Sequence, residues 1–188
     1  MNTIIIEASA RHVHLSEKNL QTLFGGAELT NKRELSQPGQ WLTEEKVTLV
    51  GPKGKIERVS VLGPTRPATQ VEISYTDARV LGVMPPVRQS GEVAGSTAIT
   101  LVGPCGEVEL AEGCMIAKRH IHMIPETAAK MGLSDGQIVT VKVPGERGLC
   151  FCETVVRVSD KFADRMHIDY DEANAAGLTG EVVGEILL

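Results

Sequence analysis

Histidine is the residue type whose placement says most about chemistry in this chain. There are five, and four of them form two His-x-His pairs, His12 with His14 and His120 with His122. In an extended strand, residues i and i+2 project to the same face, so each pair presents two imidazoles to one point. That spacing suits a divalent metal. A lone His-x-His is weak evidence, because strand histidines commonly serve packing or surface roles. Two copies in one chain shift the balance towards coordination.

The copies belong to a longer internal repeat. Ala10-Arg11-His12-Val13-His14-Leu15 resembles Lys118-Arg119-His120-Ile121-His122-Met123, and each is followed by a short helical segment ending at glycine. Farther on, Val71 to Ala78 aligns with Met166 to Ala173, which sets Glu72 opposite His167. Arg58-Val59-Ser60 and Arg157-Val158-Ser159 also correspond. Each half thus supplies a His-x-His and one later ligand: His12, His14 and Glu72 in the first, His120, His122 and His167 in the second. Three protein ligands leave a metal an open position for substrate or water, as catalytic zinc requires. Imidazole with one carboxylate favours zinc, with manganese, iron and cobalt as alternatives on ligand type alone. The expectation is a two-metal site with unequal ligand sets.

Arg66 lies six residues before Glu72 in Gly63-Pro64-Thr65-Arg66-Pro67, a turn stiffened by its prolines. A rigid guanidinium near a metal suits an oxyanion, because its planar fork donates two hydrogen bonds to phosphate. The competing reading is an exposed loop arginine. Arg88-Gln89-Ser90-Gly91 through Gly95-Ser96 could form a second anion loop, but glycine and serine also make ordinary linkers, and no role is assigned to it. Cys105, Cys114, Cys150 and Cys152 include no CxxC pair and read as reduced thiols. Cys150 and Cys152 would share a strand face and could hold a soft metal, although burial against a core is the commoner use of free cysteine.

The elements that must position these residues are mostly strands. β-rich runs cover Thr3 to Ala8, Lys46 to Val50, Glu57 to Leu62, Thr97 to Val102, Gln137 to Val143 and Phe151 to Val158, separated by turns such as Gly51-Pro52 and Gly103-Pro104. Short helices are expected after Ser16, after Pro125 and over Asp171 to Ala176, with Gly25, Gly132 and Gly177 placed to end them. They read as caps on sheets. One strand leads into each His-x-His, at Ile4 to Ala8 and at Cys114 to Ala117. Exchange of these leading strands would give one domain over 11–117 and another over 118–188 completed by the N-terminal strand 1–10.

With 188 residues, 42% of them hydrophobic, the chain can bury one substantial core or two small ones. A net charge of −5 and only six aromatic residues argue against nucleic acid, which calls for a basic face and stacking rings. No signal peptide is evident, and no apolar stretch approaches the ~20 residues needed to span a bilayer. A small-molecule substrate and a cytoplasmic protein are the expectations.

Ser9 to Ser16, Leu62 to Arg66 with Gln70 to Ser74, and Lys118 to Met123 together closely resemble the PduL-type phosphate propanoyltransferases, the phosphotransacylases associated with bacterial microcompartments. The resemblance spans nearly the whole chain. It implies a mainly β fold of two related β-barrel domains capped by short α-helices. It also implies two zinc ions and reversible transfer of an acyl group between coenzyme A and inorganic phosphate. Carried over by position, the six ligands above hold the zincs and Arg66 binds phosphate as the catalytic arginine. Coenzyme A contacts fall on Ala8, Ser9 and Ala10, on Lys53 and on Asn174. Position 60 is serine where many relatives carry a basic residue, so one nucleotide-phosphate contact is missing or comes from Arg58. The resemblance points to a homodimer. Encapsulated relatives begin with an amphipathic extension and this sequence starts close to its first strand, so either the form is not encapsulated or the extension was removed; cytoplasmic localisation is expected first and a microcompartment lumen second. The rival readings are a two-metal hydrolase and a metal-binding module without catalysis.

Overall fold

The computed structural model describes residues 2–26 and 28–187. Along the chain the elements are β1 (Thr3–Ala8), β2 (His12–His14), α1 (Glu17–Phe24), β3 (Asn31–Glu34), β4 (Trp41–Val50), β5 (Lys55–Gly63) and β6 (Gln70–Glu72). Next come α2 (Tyr75–Leu81), β7 (Val87–Arg88), β8 (Thr97–Val102), β9 (Glu107–Ala117), β10 (His120–Met123) and α3 (Pro125–Met131). The last are β11 (Ile138–Val143), β12 (Leu149–Val158), β13 (Arg165–Ile168), α4 (Tyr170–Ala176) and β14 (Val182–Leu187).

The strands close into two barrels. One runs β1-β13-β10-β12-β11-β14, with β14 returning to β1. The other closes through β9, β6, β2, β5, β4 and β8, with β3 added beside β4 and β7 beside β9. Taken from β1 and from β9, the two rings have the same sequence of pairings: parallel, antiparallel, parallel, then three antiparallel. β1 therefore occupies in its ring the place that β9 occupies in the other. Closure leaves the barrel strands without a free hydrogen-bonding edge.

Compact units follow the rings. One takes the residues up to Ala10, Ser36–Pro38 and those from Lys118 onward; the other takes Arg11–Leu35 and Gly39–Ala117. The short segment Ser36–Pro38 joins the first unit because the buried Gln37 side chain donates to Ala163 O (2.9 Å) and accepts from Ala163 N–H (3.2 Å). Each unit has its own apolar core. Ile6, Ile121, Met123, Val141, Val156 and Met166 are at the centre of one, and Val13, Leu15, Leu49, Val61, Val71 and Leu101 at the centre of the other. Within each His-x-His the middle residue, Val13 or Ile121, is fully buried in the core. Period-2 alternation thus turns both imidazoles to the opposite face.

All three expected helices form, and each ends on a left-handed glycine: Gly25, Gly132 and Gly177. A fourth, α2, ends the same way at Gly82. Its seven residues begin Tyr75-Thr76, aromatic and β-branched types with poor helix propensity, so it stays hidden unless Val71 to Ala78 is set against its counterpart. β3 is likewise unreadable, since all four of its residues are exposed and none is apolar. No helix among the described residues is long and apolar enough to cross a membrane.

Candidate metal centres

Each ligand triad sits on two short antiparallel strands. β2 pairs β6 with His12 opposite Glu72, Val13 opposite Val71 and His14 opposite Gln70. Residues directly opposite on one face have Cβ atoms roughly 4.5–5.5 Å apart, so Glu72 completes the corner that His12 and His14 begin. His12 Nε2 lies 3.5 Å from Glu72 Oε2, close to the ~3.4 Å edge expected between two donors at ~2.1 Å from one tetrahedral zinc. The His12 and His14 rings meet edge to face at 5.0 Å. All three residues are buried, and one donor atom of each lies within 4.8 Å of the others.

The surroundings orient these donors. Gln70 Nε2 donates to Glu72 Oε1 (2.5 Å) and to Ser90 Oγ (3.0 Å), while Gly91 N–H donates to Gln70 Oε1 (2.7 Å). One carboxylate oxygen is held by the amide and the other faces His12. His14 Nδ1 is buried without a hydrogen-bond partner. Burial, then the charges of His12 and Arg66, hold the His14 imidazole well below its usual range, against a smaller opposing pull from Leu62. A neutral imidazole with an orphaned buried nitrogen is the state a metal needs.

The second triad repeats this geometry on β10 and β13, with His120 opposite His167, Ile121 opposite Met166 and His122 opposite Arg165. The ring centroids lie 4.6 Å (His120–His122), 5.3 Å (His120–His167) and 5.0 Å (His122–His167) apart. His120 Nδ1 is 2.8 Å from Lys118 O; with Nδ1–H donating there, Nε2 is left bare for a metal, the usual outer support for a ligating histidine. Phe162 stacks on His122 at 4.1 Å. Glu7 of β1 is the register neighbour of His167, with its Oε1 3.1 Å from His167 Nε2. Burial raises the Glu7 carboxyl, but hydrogen bonds from His167 and Ser36 and the charges of His167 and Arg165 outweigh it and leave it below the ordinary range.

Among the described residues, groups of three or more His, Cys, Asp or Glu able to hold a metal occur at these two places and nowhere else. The donor sets, two imidazoles with a carboxylate and three imidazoles, fit a divalent ion of the zinc class.

Arg66 stands beside the first triad. Its backbone N–H donates to Leu15 O (2.8 Å), which ties the turn to the residue after His14, and its Nη1 donates to Ser90 Oγ (3.3 Å). The turn begins at Gly63 for a packing reason: a Cβ there would lie 2.2 Å from the Trp41 ring. The Ser90–Gly91 loop, to which the sequence assigns no role, is thus joined to both Arg66 and Glu72 through Gln70.

The remaining expected contacts lie on several elements. Ala8 ends β1, Ser9 N–H donates to Ile168 O (2.7 Å), and Ala10 is exposed. Asn174 is exposed on α4. Lys53 lies in the turn after β4, with its side chain packed across Gly82. Ser60 is opposite His12 in register and accepts from Lys46 Nζ (2.8 Å). A cation therefore stands at that position from the neighbouring strand, where the sequence suggested Arg58. Gln70, Glu7 and Lys46 escape sequence reading because only register brings them to the ligands; Gln70 alone carried a signal, two residues before Glu72 on the same strand face.

Two six-stranded barrels, each carrying a His-x-His with a third potential donor on the antiparallel neighbour, define a duplicated β-barrel protein with two candidate metal centres. The phosphate propanoyltransferase family model matches residues 5–179. The chain is 52% identical over 187 residues to the phosphate propanoyltransferase of Enterococcus faecalis, covering 99% of this chain and 89% of that one. It is 55% identical over 183 residues to that of Thermotoga maritima (96% and 87%), and 52% identical over 185 residues to that of Clostridioides difficile (98% and 88%). The chain belongs to the phosphate propanoyltransferase family and is an enzyme of that class.

Proposed function

We propose that this chain transfers a propanoyl group reversibly between coenzyme A and inorganic phosphate, giving propanoyl phosphate and free coenzyme A from propanoyl-CoA and phosphate. Zinc occupies both triads, and Arg66 is the catalytic residue that binds phosphate. The observation that carries the reading is the arrangement around Glu72: two imidazoles and a carboxylate converging on one point, with the guanidinium of Arg66 beside them and tied to them through Ser90 and Gln70.

Phosphate must attack a thioester carbonyl, generating an oxyanion and then a thiolate. Zinc bound at the Glu72 triad would supply electrophilic help to both, since it polarises carbonyl oxygen and binds thiolate strongly. The chain's own residues do the rest. Arg66 offers phosphate a planar pair of N–H donors from a turn fixed to Leu15, and Ser90 keeps that guanidinium aimed. Gln70 holds one oxygen of Glu72 so that the other stays with the ligand set. Positioning of this kind can contribute on the order of 7–11 kcal/mol for well-aligned reactants. No acyl-enzyme is needed: buried Cys114 has its thiol pushed up to about 12 by burial, far from a nucleophilic thiolate.

Coenzyme A is held by Ala8, Ser9 and Ala10, by Lys53 and by Asn174. The Lys46 ammonium at Ser60 serves as the cationic contact for a nucleotide phosphate. The protein works as a cytoplasmic homodimer, with association with a bacterial microcompartment as the second setting. The domains divide at 11–117 and 118–188 with 1–10.

The test is release of free thiol from propanoyl-CoA, with and without phosphate, before and after chelation. Phosphate-dependent release that stops on chelation and returns with zinc supports the transferase. Phosphate-independent release would replace it with a metal-dependent hydrolase, and no release with both metals supplied would leave a binding module.

A further inference from the structure

Both triads rest on short ladders: three register pairs join β2 to β6 and three join β10 to β13. Ladders this short fray at their ends, and the first histidine and the third ligand form the end pair in each barrel. Their separation therefore needs something beyond backbone hydrogen bonds.

The far end of each ladder is tied by a side chain three residues before the third ligand. Thr69 Oγ1 accepts from Ser16 N–H (2.9 Å), and Asp164 Oδ1 accepts from Ile124 N–H (2.8 Å). Ser16 and Ile124 each stand two residues after the second histidine.

The near end carries an ion pair. Arg11, just before His12, reaches Asp77 Oδ1 through Nε (2.9 Å) and Nη2 (2.8 Å). Arg119, just before His120, reaches Glu172 Oε1 through Nε (2.6 Å). Each acid is also the third helical residue of a capping box. Its other oxygen accepts from the N-cap amide, Ser74 N–H at 3.2 Å for Asp77 and Asp169 N–H at 3.0 Å for Glu172. Ser74 and Asp169 both lie two residues after the third ligand. One carboxylate thus joins the entry to the His-x-His strand with the exit from the third-ligand strand. The offsets are identical in the two barrels although the acid and the cap residue differ, which is difficult to attribute to surface charge pairing. The acids are mostly shielded, with side-chain exposures of 6% and 18%.

We propose that Arg11 with Asp77, and Arg119 with Glu172, are positioning latches, each of which sets the distance between the first histidine and the third ligand of its own metal centre. The metal part of this inference rests on zinc occupying the triads. Neither arginine is a ligand; each acts through the strand pair. Groups that orient ligands from outside typically alter metal affinity by 10–100-fold.

The experiment uses the full chain loaded with zinc and competed with a chromogenic chelator. His122→Ala isolates the Glu72 centre and His14→Ala isolates the His167 centre. Arg11→Gln should weaken zinc at the Glu72 centre by roughly ten- to a hundredfold and leave the other unchanged, and Arg119→Gln should do the reverse. Asp77→Asn should match Arg11→Gln, and the double variant should lose no more than either. An equal loss at both centres, or none, overturns the latch. Amide hydrogen exchange on metal-free protein, in chains with all five histidines, separates the two readings. If the unsubstituted chain takes up no zinc, the zinc reading fails by itself, and the latch stands on faster exchange confined to 12–14 and 70–72 in Arg11→Gln. Unchanged exchange there would sink it.

Discussion

Buried His14 makes the metal-free protein sensitive to acid in a calculable way. Its imidazole is held well below the usual range in the folded chain, chiefly by burial, whereas in the unfolded chain it titrates near the ordinary ~6.5. A depressed folded value means that the unfolded state takes up the proton first. The contribution of His14 to stability is therefore complete above the unfolded value and is lost as pH falls below it. For one such group that stays neutral when folded, the loss between pH 7.5 and pH 5.5 is on the order of 1 kcal/mol. The perturbation is His14→Gln, which keeps a polar side chain of similar reach and removes the titration. Urea unfolding of chelator-treated protein at pH 7.5, 6.5 and 5.5 is the assay. The unsubstituted chain should lose on the order of 1 kcal/mol more than the variant over that window. Parallel losses would show that His14 is not held neutral by its surroundings. The same neutrality makes the site ready for metal, because no proton has to leave before a ligand bond forms.

Replacing Arg66 with alanine should raise the phosphate requirement of thiol release roughly ten- to a hundredfold, the worth of a charge-assisted hydrogen bond, with little change in the propanoyl-CoA requirement; steady-state kinetics in both substrates would read it. Native alkylation followed by mass spectrometry should label Cys105, Cys150 and Cys152, which are exposed, and spare buried Cys114 until the chain is denatured. Ile6→Ala, at a fully buried position of β1, should cost about 2–5 kcal/mol in denaturant unfolding, because β1 is an integral stave between β13 and β14.

Much of the candidate site was legible in the sequence because residues able to ligate a metal from a strand obey a simple rule. Polar residues that must share a face of a strand recur at a spacing of two, and a duplicated chain writes the rule twice, so His12, His14, His120 and His122 announce themselves and the repeat register delivers Glu72 and His167. The mainly β fold with helical caps was readable for a similar reason, since apolar alternation, Gly-Pro turns and helix-ending glycines are local signals. Elements without those signals were missed: β3 has no apolar residue, α2 opens on poor helix formers, and β9 is far longer than its readable Cys114 to Ala117 end.

Tertiary structure decided everything that depends on which strands are neighbours. Glu7 meets His167 across β1 and β13, Lys46 meets Ser60 across β4 and β5, and Arg11 meets Asp77 from 66 residues away. Nothing in local composition marks these pairings, because neither residue of a pair carries a signal that names its partner. Ring closure and strand register bring them together, and those are set by the burial of two whole cores, whereas the candidate ligands themselves are written in a few adjacent letters.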